Sequence, residues 1–323
     1  MLDTENWQEE MLAFNTWAKD AWAARRSLVE EKVWNLNALD QGGNARTREW
    51  LDAFLPQREQ ACLQRWRQGK QAWVDWAAKT REVISAFEAA GLWDTNSPGA
   101  PQKRSRDGKG TLVNLSQTMP EYTNSFLIAD ILLLARADFP GQKIKPDADF
   151  SGLDFPAGVA FSGIDLVAGA NFEAAHFGDR TFFDGWKTKL GTRANFRNAR
   201  FERWACFNMA KFGAEADFSG ATFGFDAHFE AASIDSGASF AGAKFGECIS
   251  FAGACIGDNT SFAGARFGDK VTFEAATFGK NVSFDGAVFE GACAMPKPQK
   301  GFEPSFSGTR FKGRQLKYVR YDE

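Results

Sequence analysis

Histidine is nearly missing from this 323-residue chain, which holds only His176 and His228. So few leave a histidine-based triad or a multi-histidine metal centre without its parts. Cysteine is sparse as well. The five residues are odd in number and form no Cys-x-x-Cys pair, and Cys248 and Cys255, seven apart, have no histidine near them. A disulfide framework and a zinc ribbon are thereby excluded, and a reducing, cytoplasmic setting fits best. Charge of one sign is not in excess: 38 Lys and Arg face 41 Asp and Glu, a net of −3, with no basic footprint for nucleic acid. Residues 126–135 are mostly apolar, but the run is short and interrupted by Asp130, so no membrane span is expected. Residues 1–6 are polar and acidic, unlike a secretory signal.

What is abundant is phenylalanine and glycine, 32 and 31 residues respectively, and their placement is periodic. Over residues 148–311 a large apolar residue recurs at alternate spacings of five and six. Phe218, Phe223, Phe229, Ile234, Phe240, Phe245, Phe251, Ile256, Phe262, Phe267, Phe273, Phe278, Phe284 and Phe289 follow that rhythm without a slip. Upstream it continues from Phe150 to Phe183 and resumes at Phe196 after a unit lengthened by two residues; downstream Met295, Phe306 and Phe311 keep the phase. Two positions before each large residue sits a smaller one, as at Ala216, Ala221, Ala227 and Val271.

Apolar residues at i−2 and i are the mark of a short strand with one buried face, so the residue between them points outward. Between strands lie pairs such as Ser219-Gly220 and Ala263-Gly264, or triplets opening with glycine such as Gly268-Asp269-Lys270, all of turn composition. A chain that turns about every fifth residue and buries the same side each time coils around an axis. A helix is excluded, because a spacing of 5.5 matches no multiple of 3.6. Fold specificity therefore rests on an inward ladder that includes Phe218, Phe223, Phe229, Phe240, Phe245, Phe251, Phe262, Phe267, Phe273, Phe278, Phe284 and Phe289. Outward positions, Ser250 and Ser261 among them, are left free to vary.

The triplets Ala148-Asp149-Phe150, Ala170-Asn171-Phe172, Ala194-Asn195-Phe196 and Ala216-Asp217-Phe218 resemble the consensus of the pentapeptide-repeat proteins, Ala-(Asp/Asn)-(Leu/Phe)-x-x. The resemblance covers about half the chain and implies a right-handed, four-sided β-solenoid with Phe or Leu stacked in the core. Here one residue is added at every second turn, which gives about 22 residues and two widened corners per coil. About seven coils at the ~4.8 Å spacing of neighbouring strands make a rod on the order of 35 Å long.

The remainder reads differently. Residues 1–93 form a tryptophan-rich helical domain in which Met11, Leu12, Phe14, Trp17, Ala18 and Trp22 follow a 3.6-residue spacing. Leu63, Trp66, Trp73, Trp76, Val83, Ile84 and Phe87 do the same, and Pro56 is expected to break or offset a helix. Residues 94–112, with Pro98, Pro101, Gly108 and a Lys103–Lys109 basic cluster, read as a linker. Residues 113–139 are expected to dock on or cap the solenoid as a helix, the repeat occupies 148–313, and 314–323 form a polar tail. The fold class is thus an α-helical domain followed by a β-solenoid with an 11-residue (5+6) repeat.

No catalytic constellation, cofactor site or metal site emerges from this pattern. His176 and His228 fall at outward positions on different faces, and Gly108-Lys109-Gly110-Thr111 lacks the first glycine and preceding strand of a phosphate loop. A non-enzymatic protein–protein interaction scaffold follows, with its partner unnamed and a homodimer one option. The resemblance implies one alternative, imitation of DNA that regulates a type II topoisomerase such as gyrase. Against it stand the outward positions Arg200, Lys211, Lys244 and Arg266, which mix cations with Ser and Thr. An enzyme hidden in the helical domain is the third reading.

Overall fold

The computed structural model describes residues 45–89 and 137–316, apart from 140, 142, 145–147, 157, 298 and 314, together with Asp20, Ala24, Ser27 and Glu31. Expectations for residues 11–22, for the linker at 94–112, and for the capping segment up to residue 136 lie outside the described residues. The chain divides into two compact units, residues 1–136 and 137–323.

In the first unit, helix α1 spans Ala45–Arg67 and α2 spans Lys70–Ala89. Trp73, Trp76, Ala77, Thr80 and Ile84 are buried, and this stripe at helical spacing is the inward face of α2. Trp73 meets Trp66 of α1 edge-on at 6.0 Å, and the Arg65 guanidinium lies 4.6 Å over the Trp76 ring. Two findings correct the sequence reading. The expected run from Leu63 to Phe87 is broken at Gly69, whose φ of 99° suits glycine and ends α1. Pro56, expected to interrupt a helix, lies inside α1, where the Gln57 side chain donates to the Ala53 carbonyl at 3.0 Å. Among the described residues no helix is long and apolar enough to cross a membrane.

The second unit is a parallel β-solenoid of about seven turns over residues 154–311. One sheet has eight two-residue strands, from Asp154–Phe155 to Arg310–Phe311, and another has seven strands of two or four residues, from Lys143–Ile144 to Thr277–Phe278. Two further faces are built largely of single bridges, such as Asp217 to Ser239 and His228 to Ser250, and the second of them carries short strands toward its ends. Thr222 pairs with Arg200 and with Lys244, so each coil consumes 22 residues. The exception is the coil in which Asp165 pairs with Lys189, where two residues are added. The strand ladder also begins earlier than residue 148: Ala137–Asp138 pairs with Val159–Ala160, and Phe139 stacks on Phe161 at 5.1 Å. At the other end Gln315–Leu316 pairs with Cys293–Ala294, beyond the expected limit at 313.

The core consists of phenyl columns. Phe218, Phe240, Phe262 and Phe284 stack at 5.0, 4.9 and 4.7 Å with interplanar angles of 7° or less. Between columns the rings meet edge-on, as Phe240 and Phe251 do at 6.2 Å and 88°. Stacking along the axis and edge contacts across it are the two arrangements the ring quadrupole favours. Of the twelve ladder phenylalanines named above, eleven are buried and Phe278 is partly exposed. The fourth column is aliphatic over much of its length, with Leu166, Leu190, Ile234 and Ile256 buried.

Outward positions are less free than the spacing suggested. Asp217 Oδ1 accepts from the Ser219 N–H at 2.8 Å, and Ser261 Oγ accepts from the Ala263 N–H at 3.3 Å, each closing the following turn. Ser250, expected to face outward, is 7 % exposed, and its neighbours in the ladder are the larger His228 and Thr272. Replacing Phe251 or Phe262 by Ala should cost about 3–5 kcal/mol through the cavity left in a stacked column. Replacing Ser261 by Ala should cost under about 1 kcal/mol, the worth of one long turn hydrogen bond. Equal losses in urea melts monitored by circular dichroism would refute the inward and outward assignment.

Candidate functional site

Each corner of a coil demands a backbone conformation that most residues avoid. One corner repeats as Ala174, Asn198, Gly220, Gly242, Gly264 and Gly286, with φ between 54 and 69°. At the corner between the eight-stranded sheet and the His228 face the left-handed position is held by residues with a side chain, Arg180, Trp204, Asp226, Cys248 and Lys270, all with φ between 57 and 64°. Left-handed geometry costs a residue with a Cβ about 1–2 kcal/mol. At Trp204 side-chain contacts counter that cost. Trp204 Nε1 donates to Asp226 Oδ2 at 2.7 Å, the Arg180 and Arg203 guanidiniums lie 5.4 and 5.0 Å from the Trp204 ring, and Arg203 binds Asp179 at 2.7 Å.

The opposite rim of the same face carries exposed apolar surface. The two extra residues of the long coil fall between Phe183 and Lys189 and present Trp186 at 67 % exposure. The loop is pinned rather than loose: Thr188 is fully buried, its hydroxyl donates to the Asp184 carbonyl, and it accepts from the Gly163 N–H at 2.7 Å. Ser162 Oγ donates to Asp184 Oδ1 at 2.5 Å. One coil on, Met209 occupies a left-handed corner with φ of 59° and is half exposed. Phe225, on the first rim, is 37 % exposed. Insertions in repeat arrays map to loops on one face, which is often the binding face.

Both histidines lie on the solenoid surface, on different faces, and each is held by carboxylates. His176 Nδ1 is 2.9 Å from Asp154 and its Nε2 is 3.0 Å from Glu202, which also accepts from Arg200 Nε at 2.9 Å. His228 Nε2 is 3.2 Å from Asp226. The hydrogen bond from His176, helped by Arg200 and opposed by burial, lowers the Glu202 carboxyl to about 2. Burial pushes the Cys206 thiol up to about 11 and Cys293 to about 12, so both stay protonated at neutral pH. Cys255 is exposed on the seven-stranded sheet and Cys248 stands at a corner. Among the described residues no three His, Cys, Asp or Glu side chains converge on a point that could hold a metal ion. A depression of about 480 Å³, open to solvent, is lined by Lys280, Asn281, Asp285, Glu303 and their neighbours, without histidine or cysteine.

Sequence reasoning missed Trp186, Trp204 and Met209. The two-residue lengthening before Phe196 was the available signal, since it locates the loop that carries Trp186. No protein family, curated protein or solved structure matches the chain.

The folded-state value of Glu202 lies below its ordinary 4.5, so its contribution to stability is complete above pH 4.5 and is lost as pH falls toward 2. Between those limits the urea midpoint should fall more steeply for the wild type than for Glu202→Gln. Parallel curves would show that the His176 clamp is energetically silent.

Proposed function

We propose that this protein is a non-enzymatic interaction scaffold that binds a partner protein through the face bounded by Trp186, Met209 and Trp204. The solenoid is read as a right-handed one of pentapeptide-repeat type with alternating spacings of five and six, as the Ala-(Asp/Asn)-Phe triplets and the 22-residue register suggest. The observation that carries the reading is Trp186: an indole 67 % exposed on a loop that buried Thr188 holds in place. Tryptophan is enriched among interface residues that dominate binding, and a pre-ordered one gives up little entropy on association. Burial of the remaining indole surface would contribute about 3 kcal/mol. Lys244, Arg266 and Arg310 on another face favour a protein partner over imitation of DNA, which calls for anionic columns.

Affinity purification with mass spectrometry, run with the full chain and with a Trp186→Ala/Met209→Ala variant, tests this. The wild type should retain specific proteins whose affinity for the variant falls on the order of 30-fold, while thermal stability is unchanged. Retention of the same proteins by the variant, or turnover of a substrate by the purified chain, would overturn the proposal.

A further inference from the structure

The eight-stranded sheet carries a second surface, independent of the Trp186 face. Along its outer side Lys244, Arg266 and Arg310 are exposed, while Val288, in the coil between the last two, is buried. Lys244 and Arg310 make no ion pair among the described residues, and Arg266 shares Glu290 with Lys312, at 3.8 and 2.8 Å. The ground beside the cations is flat by necessity. A Cβ on Gly246 would lie 2.8 Å from the Gly224 carbonyl, and one on Gly268 would lie 2.5 Å from the Gly246 carbonyl oxygen. No side chain can rise there. Beside Lys244 and Arg266 the cationic column thus borders a glycine floor; one coil on, exposed Glu290 takes the glycine's place beside Val288, and Lys312 does so beside Arg310, in a chain whose net charge is −3.

The axial spacing of these cations is set by the core beneath them. Phe245, Phe267, Phe289 and Phe311 stack at 4.8, 4.5 and 4.7 Å, which places Arg266 one coil and Arg310 three coils, about 14 Å, from Lys244. An α-helix rises 1.5 Å per residue, so its positions i, i+3 and i+10 stand at about 0, 4.5 and 15 Å and fall within an arc of about 80°. We infer that this strip binds an α-helix of a partner protein that carries carboxylates at i, i+3 and i+10. A nucleic acid fits less well, because its phosphates cannot avoid Glu247, Asp269 and Glu290 along the strip's edge, whereas a helix confines its carboxylates to one stripe.

The probe is a stapled, fluorescently labelled alanine-based helix of roughly 14 residues with Glu at i, i+3 and i+10, titrated against the full chain by anisotropy. Binding should weaken at least about tenfold in Lys244→Glu/Arg266→Glu/Arg310→Glu, and by a similar factor when ionic strength rises from about 0.05 to 0.3 M. A peptide of the same composition with Glu at i, i+5 and i+8 should bind as poorly as the variant weakens the first. Trp186→Ala should leave peptide binding unchanged, which separates this surface from the scaffold reading. Equal binding of the two peptides, indifference to the triple variant, tighter binding of a single-stranded oligonucleotide, or no binding at about 1 mM would each overturn the inference. Circular dichroism melts of the triple variant confirm that the surface changes leave the fold intact.

Discussion

The parallel backbone hydrogen bond from each coil to the next is the constraint on which everything else in the solenoid depends. Phe218 N–H donates forward to Ser239 and Asp217 N–H donates backward to Ala194, at 2.7 and 2.9 Å, and this alternation recurs along the chain. Strand spacing leaves little latitude, so whatever occupies one position is repeated in the next coil at nearly the same height. Phenyl rings then stack without adjustment, since the spacing between strands is also a good stacking distance. The same repeat turns isolated surface residues into columns. Asn195 Nδ2 can reach Asn171 Oδ1 at 3.0 Å only because the backbone has already brought them level.

Corners are where this economy has a cost. Many corners relieve left-handed geometry with glycine or asparagine, as at Gly242 and Asn259. Others do not, Arg193, Glu215 and Cys248 among them; Trp204 and Met209 belong to this group and stand on the rims of one face. Backbone strain of this kind persists where surrounding contacts over-determine it, and it is concentrated at working surfaces in other proteins. The Arg180, Arg203 and Asp226 contacts to Trp204 supply that determination.

Inward positions were legible because burial has a period: the large residues at five and six could only face a common axis, and Phe251 and Phe262 are fully buried. Surface relationships were not, because they depend on register across a coil. His176 meets Asp154, 22 residues before it, and Glu202, 26 after it, and no local pattern announces such a clamp. Phe139 could have been recognised by counting 22 back from Phe161, but one isolated residue carries no rhythm. Pro56 misled for a different reason: propensity is a weak prior, and the rest of a 23-residue helix outweighs one missing donor. The tryptophans of the helical half drew attention as packing groups, while the two in the solenoid, Trp186 and Trp204, proved to be the ones at the surface rims.

The lengthened coil has a mechanical meaning. Each turn of the rod is bonded only to the turns above and below it, so a pull along the axis would peel turns away singly, each releasing a similar length of chain. The turn containing Trp186 is the irregular link in that series. It releases two residues more than its neighbours, and its buried Thr188 ties residues 163, 184 and 188 together across two turns. A partner gripping Trp186 would therefore load the rod at a cross-braced point, where tension is shared between two turns instead of falling on one.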